Sequence, residues 1–358
     1  MEEDVGPADA RLEMITVAGL EDGAANELAM RVALLVPQLR DIDPARPLDL
    51  RRMRRMVFST NYGDDLEQLL GSAGRNSGHT QEEYALGVAK VHVLRLEGGG
   101  LEIVPVFDAN MFAILGQDYE TLDEEQKTWF GRILHMLHHE LCHVHDDNKK
   151  IDAMPASMLG KVWSGADMFT GPLAEAAWSE YFANRVSSIT ASDEVIDEMI
   201  DMLKEAIQRT KPAVNGHVLA YRTNADLEAL MALFQRHGDF LVKAAAYVLG
   251  YLDGLEKTLE QVSEEAHQAL VESDFLSIWE RMHQELRVMF DRHPSGWDDS
   301  LAIYANLFDV MLDFYNDMGL VLRGEPDGGL YVEVPFRPNN STPAMILQNA
   351  ARQLFGMT

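Results

Sequence analysis

Apolar residues first recur at helical spacing in "ANELAMRVALLVPQL", where Leu28, Val32 and Leu35 mark one face. Pro37 should end or kink that helix, and Pro44 and Pro47 keep the next stretch non-helical. "DDLEQLLGSAG" reads as a short helix ending near Gly71, and "GSAGRNSGHTQ" as an exposed loop. The clearest strand signal is "VAKVHVLRLEGGGLEIVPVF", two extended runs joined at Gly98–Gly99–Gly100, with Val91, Val93, Leu101 and Ile103 alternating. Pro105 cannot donate to a sheet ladder, so the second run is expected at a sheet edge. A long helix should follow from near Asp123, with Thr121 as its cap and Glu124 completing a capping box.

Residues 146–172 carry breakers and no steady period, which predicts a loop or lid. Beyond Leu173 the pattern is helical. "SDEVIDEMIDMLKEAIQRTKP" sets Ile196, Met199, Ile200, Leu203 and Ile207 on one face, with Pro212 beyond its end. "NADLEALMALFQRHG", "DFLVKAAAYVLGYLDG", "SDFLSIWERMHQELRVMFDRH" and "DDSLAIYANLFDVMLDFYNDMG" read as four further helices, each opened by Asn, Asp or Ser. A late hairpin should turn at Pro326–Asp327–Gly328–Gly329. The expected class is α+β, mostly helical. Residues 1–25 are acidic and expected to be loosely held, one core is expected over 26–190, and a mainly helical region over 191–358.

Composition narrows the setting. The 358 residues are 47% hydrophobic and 25% charged, as in an ordinary soluble globular protein. No apolar run approaches the roughly 20 residues of a membrane helix. The acidic N-terminus does not resemble a secretory signal, and the single cysteine suits a reducing compartment, so a cytoplasmic location is expected. A net charge of −28 argues against nucleic-acid binding and favours partners or substrates with basic segments. The one basic cluster, "RRMRRM" at 51–56, reads as decoration at the start of a helix or strand. The nineteen methionines sit on helical apolar faces, where they fill gaps in a core.

The chemistry concentrates in "LHHELCHVH", residues 137–145, which holds four histidines, a glutamate and the only cysteine. Residues i and i+4 share a helix face, so His135 with His139, His139 with His143, and His138 with Cys142 could each pair. Only His139 and His143 enclose a glutamate in the order HExxH, the helical zinc motif. Leu134, Leu137, Leu141 and Val144 form an apolar stripe, and the midpoint of His139 and His143 points roughly 160° away from it. His135 and His138 point elsewhere and read as surface or supporting histidines. Cys142 reads as a small buried apolar residue. Chance supplies roughly 0.03 such pentapeptides in a chain of this length and histidine content.

Catalytic zinc keeps one position for water and needs a third protein ligand. "GPLAEAAWSEYFANRVSS" offers Glu180, one helical turn before Asn184, on a helix whose Ala176, Ala177 and Ala183 permit close approach. Rivals are Glu175 (roughly 140° around the same helix), Asp146, Asp147 and His217.

HExxH followed by Glu-x-x-x-(Asp or Asn) on a second helix resembles the gluzincin, thermolysin-like zinc metallopeptidases, over about 45 residues. The resemblance implies a zincin-like core in which His139, His143 and Glu180 bind Zn2+, Glu140 is the general base, and Asn184 holds His139. Asp is the more usual residue at the position of Asn184, and Ser179–Glu180 departs from the Asn-Glu of the best-known members. In such a site a zinc-held water has a pKa of about 7, and Glu140 takes its proton as it attacks a peptide carbonyl. The oxyanion donor is not evident, although His217, Tyr221 and Arg222 offer themselves. The family also binds extended peptide along an edge strand, here expected in "GLEIVPVFDANMF". Two other readings compete: a zinc-stabilised regulatory protein with an acidic surface, and a zinc hydrolase of non-peptide amides.

Overall fold

The computed structural model describes residues 12–65, 67, 81–82, 85–86, 88–96, 100–158, 160 and 163–354. Most of the expected helix before Gly71, the loop after it, and Gly98 and Gly99 lie outside the described residues. The chain is mostly helical with a small sheet, and it divides into two compact units. One comprises residues 1–160 with 186–195, the other residues 161–185 with 196–358. Residues 161–185 therefore group with the later helices rather than with a core ending at 190.

The first unit is built on a four-stranded sheet in the order β1 (Met14–Ala18), β2 (Arg55–Ser59), β6 (Leu101–Asp108), β5 (Ala89–Arg95). The short strands β3 (Gln81–Glu82) and β4 (Ala85–Leu86) pair separately. Strands β1, β2 and β6 are parallel, while β5 runs antiparallel to β6. Alternation sends Met56, Phe58, Ile103 and Phe107 to one fully buried face, where Phe58 stacks on Phe107 at 4.7 Å. Leu94, Val104 and Val106 pack with Tyr62 on the other. Helix α1 (Asp22–Arg40) packs on β1. Helix α2 (Glu124–Ala153) packs on β5, β6 and α1.

Three expectations change here. Residues 14–18, within the stretch expected to be loose, form β1. Pro37 does not end α1; it occupies an exposed position in the last turn, where water can satisfy the carbonyl it leaves unpaired. Pro105 does not mark an edge either, because β6 lies between β2 and β5. In the β5–β6 register the even positions of β6 bond to β5, so Pro105 turns its nitrogen toward β2. There it falls between the Ile103 N–H bond to the Arg52 carbonyl and the first paired residue, Val106. The antiparallel edge is β5.

Helix α2 is capped by Asp123 and Gln126, each side chain accepting from the other's backbone N–H at 2.9 and 3.0 Å. Thr121 instead belongs to the preceding 3₁₀ turn, its hydroxyl donating to the Asp118 carbonyl. The expected loop from 146 begins as two more turns of α2. Buried Asp146 pairs with buried Lys150, and Asn148 donates to the Asp49 and Val144 carbonyls. Three of the four arginines of the basic cluster are paired locally, Arg51 and Arg52 with Asp152 and Arg55 with Glu102.

The second unit is helical: α3 (Asp167–Ser187) up to Arg185, α4 (Asp193–Asn224) from Ile196, α5 (Leu227–Gly254), α6 (Glu264–Val271), α7 (Leu276–Arg292), α8 (Ala305–Met318) and α9 (Pro343–Leu354). A hairpin of β7 (Val321–Gly324) and β8 (Leu330–Glu333) turns with Gly328 at φ +86°. Pro212 stands inside α4, not beyond it. It and Gln208, whose carbonyl it deprives of a donor, are exposed, while Leu203, Ala206, Val214 and Val218 remain fully buried. The two helices expected over 224–254 are one. Gly238 lies inside α5 where an added Cβ would stand 3.2 Å from the Phe314 ring, so it serves packing and not termination.

Candidate metal centre

The faces of α2 divide in part as the spacing requires: Leu137, Leu141 and Val144 of the expected stripe are fully buried, while His139 and His143 are half-buried. Leu134 is only half-buried, and Ile133 takes its place in the core. Their Nε2 atoms lie 3.0 Å apart with ring planes at 86°. Two nitrogens each about 2.0–2.1 Å from one tetrahedral ion would be about 3.3 Å apart, so this pair is close to preformed for a metal. One ligand atom from each of His139, His143 and Glu180 lies within 4.8 Å of the others. Among the described residues this is the only group of three His, Cys, Asp or Glu so placed. Two imidazoles and a carboxylate are a donor set suited to Zn2+. Glu175, Asp146, Asp147 and His217 stand outside it.

Glu140 is buried on the intervening position, 8% exposed. Its negative charge reaches Tyr62: burial, then Glu140 and Asp108, push the phenol pKa well up. Tyr62 therefore stays protonated at any ordinary pH. Nothing in the sequence around Tyr62 announces that role. Cys142 is fully buried and its thiol is pushed up by burial and by Glu140, so it is neither a thiolate ligand nor a nucleophile.

His135 and His138 are buried, not on the surface. Both Nδ1 atoms meet Thr190 Oγ1, at 3.0 and 2.9 Å. Thr190 spends its one hydroxyl hydrogen on the Ser187 carbonyl at 2.9 Å, so both imidazoles must donate to it. Thr190 closes the 3₁₀ turn that follows α3. The i, i+3 spacing of the two histidines was the one legible sign that they share a partner.

Helix α3 is held within its own unit. Ala177, Trp178, Tyr181 and Ala183 flank Glu180 and are fully buried. Gly250 of α5 lies against this turn: a Cβ there would come within 2.6 Å of the Tyr181 carbonyl oxygen and 2.8 Å of Asn184 Cβ. Tyr181 donates to Asp253, which also pairs with His283 at 2.9 Å and with Arg185 and Arg287 at 3.5 Å. Asn184 is buried, and its amide nitrogen donates to the Glu180 carbonyl at 2.8 Å. That nitrogen serves its own helix.

Compared with known proteins, the chain matches no family model, no curated protein and no solved structure. Among the described residues no helix is long and apolar enough to cross a membrane.

Proposed function

We propose that this chain is a cytoplasmic zinc metallopeptidase with a zincin-like catalytic core. The observation that carries the reading is the convergence of His139, His143 and Glu180 ligand atoms within 4.8 Å, with Glu140 between the two histidines. Zinc bound there would act as a Lewis acid and supply a water acidic enough to react near neutral pH. Glu140 receives that water's proton on its carboxylate as the peptide carbonyl is attacked, then delivers it to the amide nitrogen as the C–N bond breaks. Tyr62, held protonated within the field of Glu140, keeps a phenolic hydrogen that it can donate.

Strand β5 supports the binding half of the reading. Its odd residues, Ala89 to Arg95, turn their backbone groups away from β6, and an extended peptide can pair there by strand addition. The acidic surface favours peptides with basic segments.

The test is to incubate zinc-loaded protein with a proteome and map new peptide termini, using Glu140→Gln as control. New termini should appear with the native chain and fall about 10²- to 10⁴-fold with the variant, while zinc stays bound. An equal yield from both proteins would refute the assignment of Glu140. A chain that holds zinc and yields no termini on any substrate would favour a zinc-stabilised interaction protein.

A further inference from the structure

The stretch "NGHVLAYR" has no part in the centre above, yet the second unit pairs its histidine with another. His217 on α4 and His237 on α5 face each other across a helical hairpin that turns at Asn224–Asp226. Their Nε2 atoms are 3.2 Å apart, with ring centroids at 5.3 Å and planes within 26°. We propose that His217 and His237 form a second, independent site for a borderline divalent transition-metal ion such as Zn2+ or Ni2+, clamping α4 to α5.

Three observations carry this. The nitrogen separation is close to the roughly 3.3 Å that two ligands of one tetrahedral ion require. Both side chains are half-buried, so the rings are fixed by packing while water can fill the remaining positions. The ligands come from two helices of one unit joined by a short turn, so an ion between them cross-links structure already in register. Two protein ligands bind more weakly than three, and the Arg236 cation beside His217 lowers the affinity further. The site is therefore the weaker of two.

Zn2+ titration of the metal-stripped full chain by calorimetry tests this, with circular dichroism confirming the fold of each variant. The native protein should show two classes, one ion each. His217→Ala and His237→Ala should each abolish the weak class, together with the rise in Tm that it produces, and leave the tight class in place. His237→Asn provides the same test with less change in packing. A His139→Ala/His143→Ala variant should keep the weak class alone, which separates this site from the peptidase centre. One class in the native protein, or a weak class that survives His237→Ala and His237→Asn, would overturn the proposal and leave a histidine pair sharing a proton.

Discussion

Thr190 Oγ1 stands 2.9 Å from His138 Nδ1, tying the turn after α3 to the residue just before the HExxH pair. His135 meets the same oxygen, so one hydroxyl fixes two buried imidazoles on α2. The histidine-rich helix thus has two working faces, one half-open with His139 and His143, the other closed and structural.

Replacing that hydroxyl should be costly. Thr190→Val keeps the shape but leaves two buried N–H groups without their acceptor, a loss of about 1–3 kcal/mol. Urea unfolding should show the midpoint fall, with weaker zinc binding as α2 loosens. An unchanged midpoint would mean that the contact stabilises nothing.

The same rings predict an acid limb. Burial, then the neighbouring histidines, push His135 down to about 3 and His138 down to about 4 in the fold. Unfolded, both take up protons near pH 6.5. Between roughly pH 6.5 and 4 the unfolded chain therefore binds more protons, so stability is complete above that window and falls as pH drops through it. Each ring contributes up to about 1.4 kcal/mol per pH unit. Urea midpoints at pH 7.5, 6.5, 5.5 and 5 measure the slope; a flat profile would show the rings already charged in the fold.

Glu180→Ala should lower zinc affinity by more than the roughly 10- to 100-fold that loss of a supporting residue costs. Competition with a chromogenic chelator reads the change. Stoichiometric zinc at native affinity would remove Glu180 from the ligand set.

Gly250→Ala puts a methyl group 2.6 Å from the Tyr181 carbonyl oxygen. Backbone cannot yield as a side-chain tip can, so α5 must shift or strain, at about 1–3 kcal/mol. Tm should fall and zinc affinity with it, although the substitution touches no ligand. An Ala variant as stable as the native chain would show that the two helices have slack.

Sequence alone settled what depends on near neighbours. HExxH spacing put His139 and His143 on one face of α2, and the alternation of β5 and β6 held, because a helix or strand repeats within a few residues. Glu180 was only one of several candidates that the spacing allowed, because its grouping with the two histidines does not depend on near neighbours.

Tertiary structure decided the rest. Pro37 and Pro212 lie within helices because each falls on a wet face where water replaces a lost hydrogen bond, and wetness depends on what packs opposite. Pro105 sits in an inner strand because the ladder is broken where it stands. Residues 146–153 stay helical through the Asp146–Lys150 pair and the Asn148 bonds, which leave no apolar period to read. Thr190 under two histidines and Gly250 against Tyr181 are contacts between distant segments, and the charge of Glu140 reaches Tyr62 from another. A local pattern says which face a residue occupies, and only the folded chain says what that face meets.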